Sequence, residues 1–388
     1  MAQQDNLPRP GAPMKVLYDL DPEVTFLNHG SYGAVAKPLK DVQRHWQNVI
    51  DQNPDQFIRD QWPEIWDQSR AKLGEFLNAK PEQLGFVANA TAGLQAAALA
   101  APIKQGQRIL IHSHIYTALR NQISFVAELR GATVEVIDLP LNTEAAEVME
   151  AEVAKRLDSD VGLVVIDHIS SPTAVTFPIE AITAACRSAG VPVLIDGAHG
   201  PGHRDIDLNA LDPDWYVGNG HKWLGAPRGT AFIWANEKWL DATQSPLVSH
   251  GYQQGFDANF IRYGTIDFSA WSTVNAVLDC YSRLDQRGAF AHARTILQHD
   301  YAEMVSALGA TAITKPSDPG MMAAMLLPEI WKAEQAEPIR HRLLDNFKIV
   351  NVPIPQPNGR LILRLSAYGY TDRVDFARLT DAMRTIAA

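Results

Sequence analysis

The chain has 388 residues, of which 46% are apolar and 20% charged, with a formal net charge of −10 and two cysteines. That length can bury a substantial core and exceeds one average domain, and the composition is that of a folded globular protein. No apolar run is long enough to span a bilayer, and an acidic balance without a basic stripe disfavours a nucleic-acid surface, which leaves small-molecule chemistry.

The opening stretch MAQQDNLPRPGAPMKVLYDLDPEV has no basic-then-apolar layout, so it does not read as a secretory signal, and a cytoplasmic location is the expectation. A glycine-rich LNHGSYG follows at residues 27–33. The segment EIWDQSRAKLGEFL then puts Ile65, Trp66, Leu73, Phe76 and Leu77 on one face of a predicted helix that starts at a proline.

From residue 84 the pattern changes to short runs rich in Val, Ile and Leu, each ending in polar or glycine-containing residues: LGFVANAT, RILIHSH, ATVEVIDL, VGLVVIDHIS, VPVLIDGAHG, DWYVGNGHK and GTAFIWAN. These read as buried strands. Stretches of helical period lie between many of them, as in PIEAITAACRSAG, and strand–helix alternation predicts a mostly parallel sheet. Ligands gather at the carboxyl ends of such strands. Asn89 to Thr91, His112 to Tyr116, Asp167 to Thr173, Asp196 to His199 and Asn219 to Lys222 are therefore expected around one cavity.

After about residue 270 long helical stretches lead to RLILRLSAYGY and a final helix, which predicts a second, smaller α/β domain. The expected division is an N-terminal segment with a substrate-side loop over 1–45, a large domain over 46–270 and a small domain over 271–388. Cys186 and Cys280 both sit at helical spacing and read as buried core thiols.

Two segments carry the chemistry. Asp196 closes an apolar strand, where a carboxylate calls for a cationic partner such as a protonated pyridine nitrogen. Lys222, 26 residues on, lies between His221 and Trp223 at another strand end, where desolvation frees an amine to attack an aldehyde. Taken alone, Lys222 reads as an ordinary solvated lysine, and its surroundings reverse that reading. The run NATAGLQAAALAA opens an apolar helix at Ala90 and Thr91 directly after a strand, an arrangement suited to a phosphate. Arg364, inside an apolar run, needs an anion, and a guanidinium suits a carboxylate.

DGAHGPG and GNGHKWLGAPRGTAF resemble the cofactor core of class V aminotransferase-fold enzymes dependent on pyridoxal phosphate (PLP), in particular the isopenicillin N epimerase-like group. LNHGSYG, FVANATAG, SSPTA, RYGTIDFSAW and LRLSAYGY match that group in order, so the resemblance covers nearly the whole chain. It implies a fold type I PLP-dependent enzyme with Lys222 as the Schiff-base lysine and Asp196 as the partner of the pyridine nitrogen. It further implies His199 at the cofactor's phenolic oxygen, assisted by Thr173. The phosphate falls to Ala90, Thr91 and His221, with Gly264 and Thr265 reaching it from the neighbouring subunit of a homodimer. An aromatic or imidazole ring covers the cofactor, with Tyr116 preferred to His114. Arg364 takes the α-carboxylate of an amino-acid substrate, and Asn28 and His29 line the substrate side. Tyr370-Thr371 and Gln95 depart from the group's usual residues, on the substrate or phosphate side.

The resemblance leaves the reaction open at the Cα proton, which Lys222 can remove. Epimerisation or racemisation ranks first, β-eliminating carbon–sulfur cleavage second and transamination third. Desulfuration through a persulfide is disfavoured because residues 311–364 contain no cysteine. Among other classes, a metalloenzyme using Asp196, His199, His203 and His221 is opposed by the Gly/Pro-rich spacing of DGAHGPGHRDID, so no metal is expected. No strand is followed by GxGxxG, which disfavours a nicotinamide enzyme, and the intact Lys222 and Asp196 oppose an idle regulatory protein.

Overall fold

A computed structural model describes residues 7–387. The seven predicted strands all form and make one sheet: β1 (Leu84–Val87), β2 (Arg108–His112), β3 (Thr133–Ile137), β4 (Val161–Asp167), β5 (Val193–Gly197), β6 (Trp215–Asn219) and β7 (Ala231–Ala235). Their order is β1-β7-β6-β5-β4-β2-β3, and only β7 runs antiparallel to its neighbours. β4, β5, β6 and β7 are buried at every residue, which explains why they read as unbroken apolar runs rather than alternating ones.

Helices cover this sheet. α1 (Lys37–Gln52) and α2 (Trp62–Leu77) precede it, α3 (Ala90–Ala100) follows β1, α4 (Thr117–Arg130) follows β2, α5 (Ala145–Arg156) follows β3 and α6 (Ile179–Ala189) follows β4. On the predicted face of α2, Trp66, Leu73 and Leu77 are buried while Ile65 and Phe76 are partly covered. Trp66 meets Phe86 of β1 edge-on at 5.3 Å, which fastens the helix to the sheet. α4 and α6 end on Gly131 and Gly190 in left-handed conformation, the usual stop signal.

The later chain supplies α7 (Val274–Gln286), α8 (Ala289–Ala307), α9 (Ala336–Phe347) and α10 (Arg373–Ala387) around a second sheet. Its strands are β8 (Thr311–Ala312), β9 (Met322–Leu326), β10 (Val352–Pro355) and β11 (Leu361–Ser366), in the antiparallel order β10-β11-β9-β8. Thr25–Phe26 pairs in parallel with Ile349–Val350, so the N-terminal segment is tied to this region. Cys186 is fully buried, as expected, but Cys280 on α7 is only partly covered at the margin of the core. Among the described residues no helix is long and apolar enough to cross a membrane.

Candidate active site

Because β7 reverses, β1 and β6 run the same way as β5, β4 and β2, and their carboxyl ends open on one side. The expected polar tails meet there through hydrogen bonds between strands. Ala90 N–H donates to Asn219 Oδ1 at 2.9 Å, and Lys222 Nζ lies 2.9 Å from His199 Nε2. His114 Nδ1 is 3.2 Å from Thr173 Oγ1, and Asp167 N–H donates to His112 Nε2 at 3.4 Å.

Glycines allow this crowding. A Cβ on Gly197 would stand 2.1 Å from the Tyr216 ring, and one on Gly33 would stand 2.0 Å from the His221 carbonyl oxygen. Gly33 also has φ +67, so DGAHG and LNHGSYG carry glycine because backbone and ring approach too closely for any side chain.

Asp196 is buried, and among the described residues its carboxylate has a single hydrogen bond, from Ala198 N–H at 2.9 Å, and no ion pair with a Lys or Arg. Burial raises its pKa, the signature of a carboxylate that lacks a cation. Lys222 is partly buried on the loop after β6, and burial lowers it from 10.5 to about 8. An amine near neutrality beside a cation-seeking carboxylate fits a pyridine aldehyde.

At the start of α3 the Asn89 side chain accepts from Ala92 N–H, capping the helix, and Asn219 takes the Ala90 amide. The expectation that Ala90 donates to the phosphate is therefore corrected: its N–H is already used. None of these caps takes the Thr91 N–H, and the Thr91 side chain is exposed. His221 Nδ1–H is spent on the Thr230 carbonyl at 3.2 Å, and burial lowers the ring to about 4. A neutral His221 has only a lone pair left at Nε2, so it would donate to a phosphate only as the imidazolium, the form that a neighbouring phosphate charge favours. Gly264 and Thr265 lie on a loop between short helices, with Thr265 exposed, and no hydrogen bond joins them to Lys222 or α3 within the chain.

Thr173 is fully buried and donates to Ser170 Oγ at 2.8 Å, so it receives Nδ1–H of His114 rather than offering a hydroxyl to a ligand. His114 is buried, whereas Tyr116 at the start of α4 is half-exposed and close enough to Arg364 to interact with it electrostatically. A cleft of about 700 Å³ beside them is bordered by His114, Arg120, Asp138, Pro172 and Gln356.

Arg364, on β11, is buried, and among the described residues no carboxylate pairs with it. Its guanidinium donates to Ser171 O at 2.6 Å, Asn28 Oδ1 at 3.1 Å and Ser31 Oγ at 2.6 Å. Burial lowers even this cation to about 10. Ser31 and Ser171 are partners that sequence reasoning did not name, although both lie inside motifs it singled out.

His29 departs from its expected role. Its Nδ1 accepts from Tyr370 Oη at 2.8 Å, its Nε2 donates to the Lys222 carbonyl at 3.1 Å, and its ring stacks on Tyr368 at 3.6 Å. Both nitrogens are committed to the protein, so His29 anchors the Lys222 backbone instead of meeting substrate. The metal alternative also fails to assemble: His203 Nε2 takes Met321 N–H at 2.7 Å and His199 Nδ1 takes Trp223 N–H at 3.2 Å. Among the described residues the one group with metal-ligand spacing is His299, Asp300 and Glu303, and there Arg373 already donates to Asp300 and His299.

Comparisons with known proteins agree with this chemistry. The chain is 29% identical to an isopenicillin N epimerase from Amycolatopsis lactamdurans, covering 95% of this chain and 96% of that one. It is 30% identical to a putative L-cysteine desulfhydrase from Oryza sativa subsp. japonica, covering 94% and 83%. A cysteine desulfurase structure from Escherichia coli matches the fold with a TM-score of 0.78 at 18% identity, over 96% of each chain. The family model of class-V aminotransferases matches residues 46–328, and with Lys222 and Asp196 set at adjoining strand ends the chain belongs to that family of pyridoxal-phosphate enzymes.

Proposed function

We propose that this enzyme acts at the α-carbon of an amino acid or amino-acid derivative, as an isopenicillin N epimerase-like epimerase or racemase. The observation that carries the reading is Arg364, a buried guanidinium with no carboxylate partner among the described residues, whose charge is felt at Lys222. An amino acid offers the missing anion and, one bond away, the carbon to be worked on.

Bound PLP supplies an electron sink that makes the Cα–H bond acidic. The protein's residues then divide the remaining work. Arg364, steadied by Asn28, Ser31 and Ser171, grips the α-carboxylate and fixes which bond at Cα faces the lysine. Lys222, already near neutrality, accepts the Cα proton as a base matched to the medium. Asp196 holds the ring nitrogen's proton, and Thr91 with the start of α3 receives the phosphate.

Inversion needs a proton donor on the other face of Cα. Of His29, His114 and Tyr116, the first has both nitrogens engaged and the second gives Nδ1–H to Thr173, so Tyr116 takes this role in the proposal. The second reading, β-elimination with carbon–sulfur cleavage, is favoured by the 30% identity to the putative L-cysteine desulfhydrase and needs no opposite acid. Transamination ranks third.

The same proposal includes a homodimer in which Gly264 and Thr265 complete the partner's phosphate site, supported by Thr265 being exposed on a loop. It includes a cytoplasmic location, which rests on the reading of the opening residues. It also divides the chain into an N-terminal segment with a substrate-side loop over 1–45, a large domain over 46–270 and a small one over 271–388, the first tied to the last by the pairing of Thr25–Phe26 with Ile349–Val350.

Incubation of the purified enzyme with panels of amino acids in deuterated water tests the reaction. Deuterium at Cα with inverted configuration is the expected result. Release of pyruvate and ammonia would select the lyase reading, and no exchange with any α-amino acid would sink both.

A further inference from the structure

Trp223 Nε1–H donates to His199 Nδ1 at 3.2 Å, and His199 Nε2 stands 2.9 Å from Lys222 Nζ. An indole N–H only donates, so the lone pair of His199 Nδ1 is used. Burial pushes His199 well below its ordinary value, so the ring is neutral, and with Nδ1 taken by the indole its one proton resides on Nε2. A neutral Nε2–H donates, whereas an ammonium group has no lone pair to receive it.

The geometry points to Trp223 as a positioning residue that, through His199, disfavours the ammonium form of Lys222. This rests on the reading that Lys222 captures PLP, and adds a group that biases the amine's protonation. Capture requires the amine lone pair to form a C=N bond with the aldehyde carbon, the carbonyl oxygen leaving as water, and an ammonium cannot begin it. Trp223 is fully buried, packed at 4.5 Å from the His203 ring and 5.4 Å from the His29 ring, while Tyr368 Oη donates to its carbonyl at 3.3 Å. The indole is thus a fixed donor.

Without the indole, His199 is free to carry its proton on Nδ1 and present a lone pair to Lys222, which favours the ammonium. The other charged or titratable groups facing Lys222 are Asp196, Asp167, Arg364 and His221, and Trp223→Phe leaves all four in place.

Two measurements test the inference. In full-length protein stripped of cofactor and labelled with [15N]histidine, long-range proton–nitrogen correlations read each tautomer, and the His199 signal is the one lost in His199→Gln. An Nε2–H pattern is expected, and an Nδ1–H pattern overturns the inference. The second is capture of free PLP, followed by absorbance against pH. Trp223→Phe is expected to move the midpoint upward and to slow capture at neutral pH about tenfold for each unit of that movement. In a His199→Gln background, whose carboxamide needs no indole, Trp223→Phe is expected to leave the midpoint alone. An unmoved midpoint in the single variant overturns the inference. Should Trp223→Phe fail to fold, the tautomer measurement on the unaltered chain decides. If the unaltered protein captures no PLP at any pH, it is the proposed function that fails, and the tautomer still reads independently.

Discussion

Asp167 and Asp196 are register partners at the ends of the neighbouring parallel strands β4 and β5, so two carboxyl groups stand on one face of the sheet. Asp196 has the Ala198 N–H, whereas neither oxygen of Asp167 has a hydrogen-bond partner among the described residues. Burial, and then the charge of Asp196, push Asp167 well above the usual carboxylate range. Asp167 is therefore the member of the pair that holds a proton more readily, and Asp196, with its N–H partner, is the better placed to be ionised.

Substitution should separate the two. Asp167→Asn supplies a neutral isostere where burial already favours the protonated acid, and kcat is expected to fall by less than about tenfold. Asp196→Asn removes the anion that holds the ring nitrogen's proton, and a loss above about a hundredfold is expected while the cofactor stays attached. Steady-state kinetics with the absorbance of each variant check this, and equal losses would contradict the assignment.

Lys222 makes stability depend on pH in a defined direction. Its folded pKa of about 8 lies below the ordinary 10.5, so between these values the unfolded chain binds the extra proton and stability rises with pH. Below about 8 the full penalty applies, at most about 3 kcal/mol and less because the amine is only partly buried. Cofactor-free Lys222→Met is expected to be more stable than the unaltered protein at pH 7, with the gain shrinking as pH rises through this window. Urea unfolding at several pH values measures it.

Arg364→Lys retains a cation but loses the planar fork that Ser171, Asn28 and Ser31 orient. With the loss of a charge-assisted pair worth roughly 1.5–3 kcal/mol, KM for the amino acid is expected to rise about 10- to 100-fold. The cofactor spectrum should stay unchanged. A KM that does not move would remove Arg364 from the substrate site.

Shared sites can be detected by mixing. Lys222→Ala and Thr265→Tyr are each expected to be inactive as pure dimers. Random reassociation makes half the dimers mixed, and in each of those one site has both native residues, so about a quarter of full activity should return. No recovery after verified subunit exchange would place Thr265 outside the partner's site.

The strand pattern, the mostly parallel sheet and the placing of Asp196 and Lys222 at the ends of neighbouring strands were legible in the sequence by itself. An apolar run that stops at a charged residue is a local signal, and parallel strands bring such stops to one edge whatever the details of packing. The commitments of the polar atoms were not legible. Arg364 reaches Asn28 across 336 positions and Ser171 across 193, and only the folded chain shows that these partners leave its charge unmatched. LNHGSYG promised two substrate residues, yet Tyr370 and the Lys222 carbonyl consume both nitrogens of His29. Ala90 stood correctly at a helix start, but Asn219 from another strand had already taken its N–H. The sequence thus determined which chemical groups are brought to the cavity, because side-chain type and strand position are local properties. Which of them remain available to a ligand was decided by tertiary structure, because a buried donor or acceptor is satisfied by whichever partner the distant chain brings to it.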